Sequence, residues 1–465
     1  MKLRKLLAIY GFALGFFLVL NGLRALILRG SGEGTLFQAD YGLPPLVWWL
    51  ARRLRTPRWV AATLAFWASL IAIGGDAIIL AGHQFRWGPD AIPQYLSGYT
   101  DLPWRILLPI GIAVILIAIL NTVALAASES VPFVIWPLFA CIVGLLAIDS
   151  QVGTSRFRDT TNGFNVLTSA TASIGTMYLG SLLRGASLRR LRHGTLSTDI
   201  GPVRSSTQLL SIAVESYGLA LDQKGRDALI APLIERTRSE YAITQGAHRF
   251  YGATFQGEVR ELCGARLLGN ASTPRVMFRL SSCLPARLRR EGFDTEAIHG
   301  NGGDIYSRAK LYPAMGFRRT WFYEDLRTTD PNVSPCFGTL FNGACDARVY
   351  ERALSLFDGQ KRFVHVMTLD SHLPVPFTVP SNCPSQFIST APLCSYAVLI
   401  RRSLAQLGSA LSHAKVKPDL VFVYGDHAPP FNSAEARNAF AEDAVPFLVL
   451  QRRKGRPTSR FASAP

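Results

Sequence analysis

Val421-Phe422-Val423-Tyr424-Gly425-Asp426-His427 decides how the rest of the chain is read. Four strand-forming residues run straight into Gly-Asp-His. An unbroken apolar run of this kind describes a strand buried on both faces, as in a parallel sheet. Its carboxyl end carries an acid and an imidazole, at the edge where open α/β sheets bind ligands. A second run ends the same way far upstream: Leu209-Leu210-Ser211-Ile212-Ala213-Val214-Glu215. Glu215, Asp426 and His427, delivered from strand ends, can hold a divalent cation. The pattern predicts a metalloenzyme.

Working outward, strand patterns fall at 208–214, 275–280, 294–299, 363–369, 420–425 and 445–450. Helical patterns lie between several of them, including 285–291 and 396–413. This alternation predicts a largely parallel sheet flanked by helices, an α/β/α domain over residues 205–465.

The first 150 residues have another character. The chain has 465 residues, 49% of them hydrophobic, and the apolar excess is concentrated there. Five apolar stretches predict a transmembrane domain over 1–150: Leu6 to Leu28, a weak stretch from Leu36 to Ala51, Trp59 to Gly82, Ile106 to Ala127, and Val131 to Ile148. Lys2, Arg4 and Lys5, and the cluster Arg52 to Arg58, should stay cytoplasmic. If the weak stretch crosses, five crossings place the C-terminal domain outside the inner membrane; if it does not, four leave that domain facing the cytosol. Residues 151–204 form a linker, with an interfacial helix expected at 166–183 before Arg184, Arg189, Arg190 and Arg192. The formal charge of +17 suits an anionic partner. No zinc-finger spacing, recognition helix or stacking motif supports nucleic acid, so a phospholipid surface is the expected partner.

Six of the seven cysteines lie beyond position 260: Cys263, Cys283, Cys336, Cys345, Cys383 and Cys394. An even number in one domain suggests disulfides and an oxidising compartment. Pairing does not follow from sequence; the simplest guess joins neighbours.

Four segments together resemble the alkaline phosphatase superfamily, and within it the membrane sulfatase-like group of lipoteichoic acid synthases and phosphoglycerol transferases. Val214-Glu215-Ser216-Tyr217-Gly218 resembles the first metal-ligand motif, and Tyr251-Gly252-Ala253-Thr254-Phe255-Gln256-Gly257-Glu258 the nucleophile turn. Ile298 to Arg308 resembles the headgroup-recognition segment, and Gly425-Asp426-His427 the second metal motif. The resemblance implies Thr254 as nucleophile and fourth ligand of one divalent metal (Mn, Mg or Zn). It also implies headgroup contacts from Tyr306 and Arg308, and His372 touching phosphate or protonating the leaving group. Relatives often carry Trp where this chain has Tyr306, and Gly where it has Ala428.

The residue chemistry agrees. Gly252 permits a tight turn, and a threonine at a helix start sits beside unpaired amide N–H groups that favour phosphate. Metal coordination would make its weakly acidic hydroxyl nucleophilic. His365, mid-strand, reads as a core residue, and His299 as either core or site. The expected function moves phosphoglycerol or phosphoethanolamine from a phospholipid to a glycan or glycolipid through a phospho-threonine intermediate. A hydrolase is the alternative, since Cys283-Leu284-Pro285-Ala286-Arg287 fits the C-x-P-x-R pattern of sulfatases whose Cys becomes formylglycine.

Overall fold

The computed structural model describes residues 17–22, 39–84, 104–127, 187–191, 195–198, 206–252, 254–268, 274–330, 333, 343–372, 382–431 and 434–453. The chain separates into two compact units, with Ser187–Leu267, Ala271–Pro429 and Asn438–Pro465 making up the second.

In the first unit the long described helices are α1 (Leu43–Arg53), α2 (Arg58–Gln84) and α3 (Trp104–Ala127). They cover three of the five predicted apolar stretches. Among the described residues one segment, Arg58–Asp76, is long and apolar enough to cross a membrane. Asp76 is buried and accepts a hydrogen bond from the Tyr41 hydroxyl at 2.5 Å, so this acid inside an apolar helix packs rather than standing bare. Of the first stretch only 17–22 is described, as helix. The stretch from Val131 and the interfacial helix expected at 166–183 lie outside the described residues.

The second unit is built on strands β1 (Ser187–Arg190), β2 (Gln208–Val214), β3 (Tyr241–Arg249), β4 (Ala265–Leu268), β5 (Asp294–His299), β6 (Arg319–Trp321), β7 (Arg362–Met367), β8 (Leu420–Gly425) and β9 (Ala444–Arg452). Its helices are α4 (Gln223–Thr237), α5 (Thr254–Cys263), α6 (Pro274–Leu280), α7 (Leu284–Arg290), α8 (Arg308–Met315), α9 (Tyr323–Thr329), α10 (Asp346–Ser355) and α11 (Ala391–His413). Seven strands form one sheet in the order β3-β9-β8-β2-β7-β5-β6. The pairs from β8 to β6 are parallel, and β9 runs against both its neighbours. The predicted largely parallel sheet is therefore present, with one reversed strand. A small separate sheet joins β1 to β4.

Every residue of β2 and β8 is buried, as unbroken apolar runs require at the centre of a covered sheet. The strand predicted at 275–280 is instead helix α6. Pro274 suits a first helical position, and between buried Val276 and Leu280 stands exposed Phe278, which a strand would have placed on their buried face. Strands β1, β3, β4 and β6 were not legible: β1 lies in the stretch read as linker, β3 is largely unburied, and β6 has three residues.

Candidate metal centre

Register creates the site. Val214 of β2 pairs with Gly425 of β8, so the next residues, Glu215 and Asp426, leave the sheet side by side. On the other side of β2, Ala213 pairs with Met367 of β7, and Met367 pairs with His299 of β5. The carboxyl ends of four adjacent strands thus carry Glu215, Asp426-His427, His299 and the segment from Thr368 to His372.

Thr254 reaches this edge from α5. Gly252 has φ +143°, so the turn entering the helix needs glycine. A Cβ on Gly257 would lie 2.7 Å from Asp426 Cα, so only glycine lets the helix approach the β8 end this closely. Arg260 then fastens the helix to the strand end, donating to the carbonyls of Gly425 (2.7 Å) and Asp426 (3.1 Å). Gln256 brackets the main chain of Leu267 with both ends of its amide. Glu261 accepts from the Leu196 amide and pairs with His248. Every residue from Thr254 to Leu262 is buried, so the polar side chains of α5 work as connectors inside the core.

Four donor atoms converge. Thr254 Oγ1 donates to Glu215 Oε2 at 3.2 Å and lies 3.4 Å from His427 Nε2. His427 Nε2 is 3.3 Å from Glu215 Oε1 and 3.4 Å from Asp426 Oδ2. Glu215, Asp426 and His427 are all buried, with ligand atoms close enough to share one ion. A supporting layer orients each. His427 Nδ1–H donates to the Ala428 carbonyl at 2.9 Å, which turns the Nε2 lone pair toward the cluster. Asp426 Oδ1 accepts the amides of Ser216 and His427, both at 2.7 Å. Ser216, held at φ +56°, donates its hydroxyl to Glu215 Oε1. The Glu215 amide donates to Thr368 Oγ1, and Ser371 Oγ donates to the Glu215 carbonyl.

The donor set fits a divalent cation. Asp426 Oδ2 is buried and, among the described residues, takes part in no hydrogen bond. An oxygen so placed is costly unless something positive meets it. The protein's charges say the same. Burial, then the neighbouring Glu215 carboxylate, push Asp426 up to about 8. Burial opposes a charged His427, but Asp426 and Glu215 outweigh it and raise the imidazole to about 9. Burial would raise Glu215 too, yet the charges of His372 and His427 hold it below the ordinary carboxylate range. The cluster therefore binds protons tightly where a cation would replace them.

Beyond the cluster, Tyr306 is half-buried and Arg308 is 1% exposed. Arg308 is engaged with Glu258 through Nε (3.0 Å) and Nη2 (2.8 Å). The headgroup arginine expected from sequence is thus held inside a network that the sequence reading did not contain. His372 follows β7, half-buried, with its amide donating to Leu369. His365 is a core residue as expected, fully buried between Ser211 and Glu258.

Cys263 is bonded to Cys283, and Cys383 to Cys394. These are two of the neighbour pairs guessed from sequence. Cys345 is disulfide-bonded too, and Cys336 lies outside the described residues. A Cys283 sulfur committed to Cys263 is not free to become formylglycine, which removes the thiol that the C-x-P-x-R reading required.

Residues 272–462 match the sequence model of the Sulfatase family. The matched stretch begins downstream of Glu215 and Thr254 and contains His299, Arg308, His372, Asp426 and His427. Apart from Pro430–Arg437 this match lies within the second unit and agrees with the sulfatase-like resemblance read from the motifs; it covers less than half of the chain. Among solved structures the chain is similar to the lipoteichoic acid synthase LtaP from Listeria monocytogenes, at 16% identity over 58% of this chain and 70% of that one, TM-score 0.38. It is similar to the phosphoglycerol transferase GacH of Streptococcus pyogenes, solved with sn-glycerol-1-phosphate, at 17% identity over 55% and 69%, TM-score 0.34. It is also similar to the C-terminal periplasmic domain of EcEptC from Escherichia coli, solved with Zn, at 11% identity over 53% and 74%, TM-score 0.36. No curated protein gives a significant match.

Proposed function

We propose that the chain is a membrane-anchored, metal-dependent transferase that moves phosphoglycerol or phosphoethanolamine from a phospholipid to a glycan or glycolipid. The observation that carries the reading is the meeting of Thr254 Oγ1, at the start of a buried helix, with Glu215 and His427. A Mn, Mg or Zn ion held by Glu215, Thr254, Asp426 and His427 would lower the pKa of the threonine hydroxyl and offset charge on the phosphoryl oxygens.

Thr254 Oγ1 attacks phosphorus, and the bond from phosphorus to the diacylglycerol oxygen breaks. The threonine proton has an acceptor in place, Glu215 Oε2. His372 protonates the departing diacylglycerol oxygen. The N-terminal amides of α5 favour the phosphate now carried on Thr254. An acceptor hydroxyl then attacks the phospho-threonine and gives its proton to His372; the bond from phosphorus to Thr254 Oγ1 breaks, and the proton on Glu215 returns to the threonine oxygen. Disulfides favour an extracytoplasmic site for this domain, and a multi-pass anchor of about five helices in the inner membrane would hold it at the headgroups.

The test is diacylglycerol release from phosphatidylglycerol or phosphatidylethanolamine by the full chain in detergent, with and without added metal. Release should need metal and vanish in Thr254→Ala. Metal-independent release, or release that survives Thr254→Ala, would contradict the reading. Metal- and Thr254-dependent release that is unaffected by any acceptor would favour a hydrolase.

A further inference from the structure

Glu258 lies one turn after Thr254 on α5 and is completely buried. A carboxylate is kept charged in such a place only by partners, and this one has three side chains around it. Arg308 donates from Nε and Nη2 at 3.0 and 2.8 Å, Tyr312 donates its hydroxyl, and His365 Nε2 lies at 3.4 Å. Burial opposes the charge, yet Arg308 and His365 outweigh it and bring Glu258 down to about 2. The network continues through Arg308. Its Nη1 lies 3.3 Å from His299 Nε2, and the other ring nitrogen of His299 lies 3.2 Å from the Met367 carbonyl. Burial, then the Arg308 charge, drop His299 to about 3. The ring is therefore neutral, donates from Nδ1 to Met367 and accepts from Arg308.

The backbone just before Arg308 is unusual. Tyr306 and Ser307 stand at φ +55° and +54°, two successive non-glycine residues in the left-handed region, which persists only where surrounding structure imposes it. Two contacts of the Tyr306 ring trace back to α5. Phe255, next to Thr254, stacks on it at 6.5 Å and 17°. The Arg308 guanidinium lies 5.1 Å from its centroid and is itself fixed by Glu258.

We propose that Glu258 is a positioning residue that latches the 304–308 segment to the nucleophile helix, so that headgroup recognition and the attacking hydroxyl are set by one rigid element. The proposal rests on the transferase reading and assigns Arg308 a second task. The guanidinium edge facing Glu258 is spent on the latch and holds Tyr306 in its strained conformation.

The experiment is calorimetric titration of the metal-loaded full chain in detergent with sn-glycerol 1-phosphate and with phosphoethanolamine. Wild-type protein should bind one of them. Glu258→Gln should weaken that binding by about tenfold or more while the stoichiometry of binding-competent protein is unchanged. A residue needed only for folding would lower the stoichiometry and leave the affinity of the folded fraction alone. Tyr312→Phe removes one hydrogen bond without stranding a charge, and should weaken binding by a smaller factor in a fully folded protein. Glu258→Gln combined with Arg308→Gln should be no worse than the more damaging single variant. Unchanged affinity in Glu258→Gln and Tyr312→Phe, or effects of Glu258→Gln and Arg308→Gln that simply add, would overturn the latch and leave the transferase reading standing. Wild-type protein that binds neither probe would overturn that reading and the latch with it.

Discussion

At the scale of single residues, the cluster holds more negative charge than an apolar core accepts without compensation. Asp426 and His427 hold protons up to about 8 and about 9, and a cation must displace them to bind. Raised values mean that the competing protons are present below these pH values and leave above them. Apparent metal affinity should therefore climb as pH rises from 6 to 9, by up to about tenfold per unit for each proton displaced. Competition against a pH-insensitive chelator would measure this, and a flat profile would place the metal elsewhere. Asp426 and His427 were legible because an acid-imidazole pair ends an apolar run, and Glu215 because it ends another. Their supports, Ser216, Thr368 and Ser371, were not, because small hydroxyl residues carry no periodicity and act through single hydrogen bonds.

At the scale of an element, the sequence reading expected a helix starting at Thr254 but not the connecting roles of the polar side chains of α5. Apolar periodicity cannot announce a helix whose buried side includes Gln256, Glu258, Arg260 and Glu261. Each is satisfied by a partner distant in sequence, so the pattern becomes intelligible only in three dimensions. Helix α6 failed for the opposite reason: a short apolar run fits either period, and context decides. The close seat of α5 against β8 makes Gly257 a sensitive point. Gly257→Ala would drive a methyl into the Asp426 backbone, 2.7 Å from Cα, where no side chain can swing aside. We expect a loss of about 1–3 kcal/mol in stability and a larger loss of metal affinity, because Asp426 moves away from Thr254. Thermal melting with and without metal would test this. An alanine variant that keeps the metal-dependent rise in Tm would show that the contact does not set the site.

At the scale of the whole molecule, the parallel sheet and the strand-end location of the site were legible from two apolar runs and their endings. The reversed direction of β9, a strand expected at 445–450, was not, since strand direction leaves no mark on an apolar run. The bond between Cys263 and Cys283 closes a 20-residue separation, and removing it should cost about 3 kcal/mol on the chain-entropy account. Cys263→Ser and Cys283→Ser should then lose similar amounts of stability and keep comparable turnover below their melting temperatures. A formylglycine enzyme would instead lose all activity in Cys283→Ser alone. The most direct test of the central claim is intact-protein mass spectrometry of the metal-loaded full chain after incubation with mixed phosphatidylglycerol and phosphatidylethanolamine. The account predicts a phosphoglycerol or phosphoethanolamine adduct that maps to Thr254 and is absent from Thr254→Ala. An unmodified Thr254 in protein that is releasing diacylglycerol, or an adduct on another residue, would contradict it.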